Sequence, residues 1–377
     1  MSGAPAGTPA ERQARLRGTL DAEQLGARGL ERMARNPSCR LLKALTVAGI
    51  SPATVVQQVY GEVTREQQSP FAIGAGNQFE SGVFENGAAR LLDAYRSAGT
   101  LSLLECRVVN VPELAPGITP AAMARRQAIS LRLLRAKLAG EAWAPNLIVK
   151  PRLSVTLLGL TFNIEPDALV AADRNAFYRP VEIKSYPDRD GKTDATDVRG
   201  ACRQAAVAVV ALRAVAAQAG AADVESLVPA RGDLVLRTPG SYRPTLRPMT
   251  LQGEVDSLER AFQEAPRNLG ETEVLLTSIG ASAALDAPAV VDQLPNNYRE
   301  NCREFCALAG ECKQRALAQS DPVLLGSRAR EEWAPAGSIE RVLELLEGRG
   351  AAPRNRAELL LQERLQEEYL ELRRAVI

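Results

Sequence analysis

Between residues 76 and 264 the hydrophobic period changes in a set order, and that order narrows the folds open to the chain. Phe79, Val83, Phe84, Ala88, Leu91, Leu92 and Tyr95 fall at helical spacing and predict one amphipathic helix over 76–97. LLECRVVNV (103–111) alternates like a strand, and 120–139 reads as helical. Three β signals then cluster, LIVKPRLSVTLL (147–158), LTFNIEPDALVA (160–171) and FYRPVEIKS (177–185). A long Ala/Val-rich helix is expected over about 195–219, a strand pair at 233–237 and 244–250, and a helix near 253–264. The order helix, strand, helix, three strands, helix, strands predicts an α/β fold: a mixed β-sheet flanked by helices. Short helical patterns up to about residue 66 and a helical stretch beyond 319 make helical additions at both ends.

Residues 1–20, rich in Gly, Pro and Ala, read as a flexible leader. A main domain is expected over 21–318, with its core at about 76–265, and a helical tail over 319–377. The first thirty residues lack the apolar segment of a secretory signal. The most apolar run, AAVAVVAL at 205–212, is far too short for a membrane span. A cytoplasmic protein without membrane attachment is expected, so its six cysteines suit metal binding or core filling better than disulfides.

The 377 residues include no histidine. Ser-His-Asp triads, Cys-His pairs and His-ligated metals are therefore excluded, and acid–base or metal chemistry falls to carboxylates, Lys, Tyr or Cys. A net charge of +1 excludes a broadly basic coat for nucleic acid and leaves only local patches.

Within the β cluster, Pro166-Asp167 closes one run and Val181-Glu182-Ile183-Lys184 lies in the next. Side chains in a strand alternate, so Glu182 and Lys184 share a face while Val181 and Ile183 share the other. If the two runs are neighbours, Asp167, Glu182 and Lys184 converge at a polar, solvent-facing edge of the sheet. Two carboxylates suit a hard cation such as Mg²⁺ or Mn²⁺, and a lysine beside it can orient water and steady phosphate charge. The bland alternative is a turn aspartate and a surface charge pair. With only six lysines in the chain, Lys184 stands out at that position.

Pro166-Asp167 with Glu182-Ile183-Lys184 resembles the signature of the PD-(D/E)XK nuclease superfamily, RecB-like branch. The resemblance implies a restriction-endonuclease-like core and metal-dependent hydrolysis of DNA by a deoxyribonuclease. Asp167 and Glu182 would bind the ion and Lys184 would assist. Gln204, in Arg199-Gly-Ala-Cys-Arg-Gln204, matches the Gln of that branch, but Ala208 stands where its Tyr is expected. SPFAIGAGNQFESG (69–82) resembles the upstream helix that completes the metal site, with Glu80 as the candidate third ligand and Glu85 as a competitor.

Cys302, Cys306 and Cys312 cluster late in the chain, and Cys39 stands early in Ser38-Cys39-Arg40. This arrangement resembles the iron–sulfur subgroup of that branch, which includes AddB-type and CRISPR-adaptation nucleases. There, one early and three late cysteines hold a 4Fe–4S cluster. The three-residue gap between Cys302 and Cys306 departs from the commoner two. Structural zinc is the rival occupant, though paired CxxC knuckles are missing. Cys106 and Cys202 read as core thiols. The resemblance covers roughly 39–312.

Gly191-Lys192-Thr193 lacks the earlier glycine of a phosphate-binding loop, so no ATP-driven motor is evident. Residues 120–152 hold seven basic residues (Arg125, Arg126, Arg132, Arg135, Lys137, Lys150, Arg152) against Glu141, suited to a phosphate backbone or to a plain solvated face. Leu361, Leu365, Tyr369, Leu372 and Val376 recur at spacings of 3–4, predicting a docking helix for the chain itself or for a partner such as a helicase. The expected substrate is single-stranded or end-containing DNA. Two rival readings stay open: a non-catalytic nucleic-acid-binding subunit and an iron–sulfur redox sensor.

Overall fold

A computed structural model describes residues 7–20, 22, 26–62, 70–100, 106–173, 175–189, 191–348, 350 and 352–376. The chain divides into two compact units, Met1–Pro37 with Leu42–Ser51 and Arg65–Asp292, and Ser38–Leu41 with Pro52–Thr64 and Gln293–Ile377. This division differs from the one expected at 318/319: residues 293–318 and the short segment around Cys39 group with the C-terminal helices.

The first unit is built on a six-stranded sheet: β1 (Val108–Asn110), β2 (Leu147–Val149), β5 (Ala168–Val170), β6 (Arg179–Pro187), β7 (Arg231–Arg237) and β8 (Pro244–Thr250), in that spatial order. β1 and β2 run parallel, as do β6 and β7, and the other neighbours are antiparallel. A separate hairpin joins β3 (Leu153–Leu157) to β4 (Leu160–Ile164). Leu158 and Gly159 both adopt positive φ at its tip, the conformation that a two-residue turn needs to match strand twist. The long β runs expected at 147–158 and 160–171 are thus each divided. Lys150-Pro151 ends one strand, and Glu165-Pro166-Asp167 ends another, because proline offers no amide to a ladder. Of the strand expected over 103–111, residues 103–105 lie outside the described residues and 108–110 form β1.

Helices cover both faces of this sheet. Phe79, Val83, Leu91 and Tyr95 of the Pro70–Ser97 segment pack on Val149, Val170, Val181, Ile183 and Val235. The opposite face carries Ile148, Leu169, Leu234 and Leu236 against the Ala195–Gln218 helix and its neighbours. Ala195–Gln218 is long and apolar enough to cross a membrane by composition, but it is the core helix of the unit and mostly buried. Alanines at 201, 205, 208, 211 and 216 let it lie close to the sheet, and burying each Val or Leu between them contributes about 1.5–3 kcal/mol. Asp194 starts it by accepting a hydrogen bond from the Thr196 amide at 2.7 Å.

Three helical expectations change. Residues 8–17 are a capped helix rather than a leader: Thr8 and Glu11 form a reciprocal capping box, Leu16 is buried, and Arg12 grips Glu273 with contacts of 2.6–3.1 Å. Residues 1–6 lie outside the described ones. The single helix expected over 76–97 is broken at Glu85–Ala88, where Asn86, Gly87 and Ala88 are left-handed; Asn-Gly tolerates that region readily. The helix expected to end near 264 runs from Gln252 to Ile279, through Pro266. Ala265, Asn268 and Leu269 are buried around that proline, and their packing offsets its cost of about 3 kcal/mol.

In the second unit, the helices Ile339–Glu347 and Arg356–Val376 pack through Val342, Leu345, Leu361 and Leu365, with Trp333 beside them. Arg341 crosses to the buried Glu358 at 2.9 Å. Tyr369 is half exposed, and the side chains of Leu372 and Val376 lie outside the described ones.

Candidate functional site

β5 and β6 are antiparallel neighbours with Ala168 opposite Val181, so the ladder carries Asp167 to a position beside Glu182. The Ile183 amide donates to Asp167 Oδ2 at 2.7 Å, and the Lys150 amide donates to the Asp167 carbonyl at 2.9 Å. Lys184 Nζ lies 2.5 Å from Glu182 Oε1. Beyond Ile183, β6 carries extra residues relative to β7 before pairing resumes at Pro187. A bulge there turns Lys184 out of the regular ladder, and the Arg237 guanidinium holds it by donating to the Ser185 carbonyl at 2.6 Å.

The site is more enclosed than the solvent-facing edge expected from sequence, though it stays partly open: the Lys184 side chain is 25% exposed. β6 is a central strand with helices on both sides, so Glu182 is enclosed much as Val181 and Ile183 are, while Lys184 beyond it is partly exposed. Glu182 is only 6% exposed. Burial, then the neighbouring Glu182 charge, pushes the Asp167 carboxyl up to about 8, against the opposing pull of Lys184. Burial also raises Glu182, while proximity to Lys184 counters it. Two carboxylates this close in a shielded setting cannot both ionise cheaply without a cation. Lys184, its pKa lowered by burial but raised on balance by Glu182 and Asp167, supplies one positive charge.

Glu80 belongs to the same group. Its charge acts on both Asp167 and Glu182, and its Oε1 is buried. Lys150 Nζ stands 2.7 Å from that oxygen but off hydrogen-bond alignment, so the oxygen accepts no hydrogen bond. Glu85, the competing choice, is exposed at the helix break and among the described residues reaches only Arg90, at 4.0 Å. Gln204 is half-buried on the Ala195–Gln218 helix, and its side chain makes no hydrogen bond among the described residues.

Two residues at the site were missed from sequence. Lys150 was counted only among the basic residues of 120–152, yet its backbone is left-handed (φ 46°) and its ammonium faces Glu80. Glu31, on the Ala27–Arg35 helix, is buried and close enough to raise Glu182. A charged residue interrupting the apolar face of that helix was the available signal. The other basic residues of 120–152 divide in use: Arg126 bonds the carbonyls of Ala115 and Gly117, Arg152 meets Glu165 at 3.4 Å and Lys137 bonds the Asp173 carbonyl. Arg125, Arg132 and Arg135 are exposed.

The four expected cluster ligands all fall in the second unit, whereas Cys106 and Cys202 fall in the first. Cys39, Cys302 and Cys312 are buried and Cys306 is half-buried. Burial pushes the Cys312 thiol up, and Cys306, Cys39 and Cys302 are close enough to add to the shift. The Cys39 segment is pinned by the Leu41 amide on the Pro295 carbonyl at 3.0 Å and by Ser38, which accepts from Asn297 and Arg299. The Cys306 amide donates to the Cys302 carbonyl at 2.8 Å. Cys39, Cys302 and Cys306 thus all lie near Cys312, with Arg315 also acting on it, and four sulfur donors are the ligand set of a cluster or of structural zinc. Among the described residues, no three Cys, Asp or Glu side chains stand together at metal-binding spacing. Neither the protein-family models nor the curated proteins contain a match to this chain.

Proposed function

We propose that the chain is a metal-dependent deoxyribonuclease of the PD-(D/E)XK superfamily, RecB-like branch, hydrolysing phosphodiester bonds of DNA and carrying a structural 4Fe–4S cluster. One observation carries the reading: adjacent strands force Asp167 and Glu182 together beside Lys184, with the Glu80 charge acting on both carboxylates. That is a cation-seeking set made without histidine, as the composition requires.

Asp167, Glu182 and Glu80 would hold Mg²⁺ or Mn²⁺. Such an ion, when bound, acidifies a water and offsets phosphate charge. Ile183 fixes the Asp167 carboxylate through its amide, so the aspartate cannot swing away. Lys184 is the proton-bearing cation of the set and orients the attacking water while steadying the phosphate. Gln204 would steady the strand from the core helix. Cys39, Cys302, Cys306 and Cys312 would hold the cluster, tying early and late chain segments in one unit.

A cytoplasmic setting agrees with reduced thiols. The substrate is single-stranded or end-containing DNA, and Leu359, Leu360 and Leu370 are exposed on the last helix for a partner such as a helicase. A non-catalytic DNA-binding subunit would have no need to keep a buried, mutually repelling carboxylate pair. The test is anaerobic purification followed by a Mn²⁺-dependent assay on single- and double-stranded DNA. Cleavage that EDTA abolishes is expected, and no cleavage of either substrate with Mg²⁺ or Mn²⁺ by a folded protein overturns the reading.

A further inference from the structure

In the first unit, a cavity of about 800 Å³ opens beside β8, the edge strand of the sheet. One wall is a single helix face, since Arg90, Ala94 and Ala98 recur every four residues on the second part of Pro70–Ser97. The other wall is the turn between β7 and β8 with the start of β8, carrying Tyr242, Arg243 and Leu246. The small alanines leave the space open, and its size lies within the ~300–1,000 Å³ typical of small-molecule sites.

The aromatic ring in this wall is held in place. Tyr242 is 45% exposed, its ring centroid lies 6.4 Å from that of Phe79, and its hydroxyl donates to Gln78 Oε1 at 3.4 Å. The turn is closed by the Thr238 amide and hydroxyl, which donate to the Arg243 carbonyl at 2.8 and 3.0 Å. A fixed, half-exposed ring beside Ala94, Ala98 and Leu246 offers a stacking surface to a flat aromatic group.

Charge defines the rest of the ligand. Arg243 is exposed, and among the described residues its guanidinium makes no hydrogen bond or ion pair. Arg90 is also exposed, and among the described residues its only ionic neighbour is Glu85, at 4.0 Å. Asp93 is the one carboxylate among the described lining residues, and Arg96 already bonds it at 2.9 Å. The lining is therefore net cationic. An aromatic face flanked by guanidiniums fits a nucleotide, with the base on the ring and the phosphate on the arginines. The Thr238 and Thr245 hydroxyls already donate within the protein, and no Asn or Gln is among the described lining residues, so the base edge goes unread.

We infer that this cavity is a subsite for one unpaired nucleotide of a DNA strand, its base stacked on Tyr242 and its phosphate on Arg243 and Arg90. The inference rests on the nuclease reading for its ligand. Tyr242 leans on Gln78 and Phe79, the residues just before Glu80, so a strand held here runs beside the helix that carries Glu80. Base faces in a duplex are covered by their neighbours, so the subsite selects single strands and frayed ends.

Binding measured in EDTA separates the subsite from catalysis. The probes are a labelled single-stranded oligonucleotide, its duplex, a strand carrying a fluorescent adenine analogue, and dAMP as competitor. Tyr242→Leu keeps an apolar contact for Phe79 but removes the stacking face. Arg243→Gln removes an exposed cation without a partner, so both variants should melt with the unaltered protein. The unaltered protein is expected to bind the single strand about tenfold more tightly than the duplex and to quench the analogue. Tyr242→Leu should weaken single-strand binding about tenfold and abolish the quenching, and Tyr242→Phe should restore both. Arg243→Gln should weaken binding about fivefold, with a salt slope smaller by about 0.7. Folded variants that bind single strands like the unaltered protein overturn the inference and leave the case for Asp167, Glu182 and Lys184 untouched. dAMP that binds as tightly as the oligonucleotide makes this a free-nucleotide site and overturns the strand assignment. Binding and quenching lost as expected, in a protein that cleaves no DNA with Mg²⁺ or Mn²⁺, keep the subsite and remove the nuclease reading.

Discussion

The carboxylate site and the four-thiol site are both candidate metal centres, yet they are assembled in opposite ways. Asp167, Glu182 and Lys184 sit on two paired strands within an 18-residue stretch of chain, and the ladder holds them together through backbone hydrogen bonds. The cysteines come from a short segment near residue 39 and from a turn and helix at 302–312, held by a few loop contacts such as Leu41 to Pro295. The first site is therefore preorganised and electrostatically strained: its backbone persists while its carboxylates repel. The second has little regular structure to position it and gains most from whatever the sulfurs bind.

The largest expected effect breaks the first site chemically while leaving the fold alone. Lys184→Ala should lower Mn²⁺-dependent DNA cleavage by about a thousandfold, the scale of losing a group that acts in the transition state. Full activity in a folded Lys184→Ala protein removes the lysine from the mechanism. The second site should break structurally instead. Iron analysis should fall from about four atoms per chain to near zero in Cys39→Ser, Cys302→Ser, Cys306→Ser or Cys312→Ser, with lower thermal stability. Cys106→Ser and Cys202→Ser should keep the iron. One zinc and no iron in anaerobically purified protein would replace the cluster with a zinc site.

Smaller effects sharpen the contrast. Glu80→Gln should reduce turnover or metal affinity by about tenfold, since water can replace part of a third ligand, whereas Glu85→Gln should change neither. The reverse pattern would reassign the ligand to the residue at the helix break. The smallest effect concerns stability in the metal-free protein. Asp167 has its pKa raised on folding, to about 8, so the fold favours the protonated acid. Its contribution is fully present below the ordinary carboxylate pKa and is lost as pH rises towards 8. Calorimetry should show Asp167→Asn melting a few degrees above the unaltered protein near pH 8 and matching it in acid. Asn can still accept from the Ile183 amide, so the gain isolates the charge. Equal pH slopes for the two proteins would show that Asp167 is not strained.

Periodicity alone located the core helix at 195–219, the strands around 147–185 and the polar residues of the site, because alternation along β6 is written directly in Val181-Glu182-Ile183-Lys184. It placed that site at a more open edge than the structure gives, since Glu182 is buried. Alternation tells which side chains share a face, but what covers each face depends on helices far away in sequence. The same limit hid Glu31 and Lys150, which reach the site through packing and a left-handed backbone rather than through any local pattern. The break at Glu85–Ala88 was legible in Asn86-Gly87, yet apolar residues on both sides kept a single helical phase and masked it.

The sequence by itself determined the order of elements, the absence of histidine chemistry and the pairing of carboxylates with a lysine, since these follow from composition and from spacing within a few residues. Tertiary structure decided that β5 lies beside β6, that both faces of the sheet are buried, and that Cys39 shares a compact unit with Cys302, Cys306 and Cys312. Those are long-range outcomes. They depend on which surfaces bury one another, and no local stretch of chain encodes that choice.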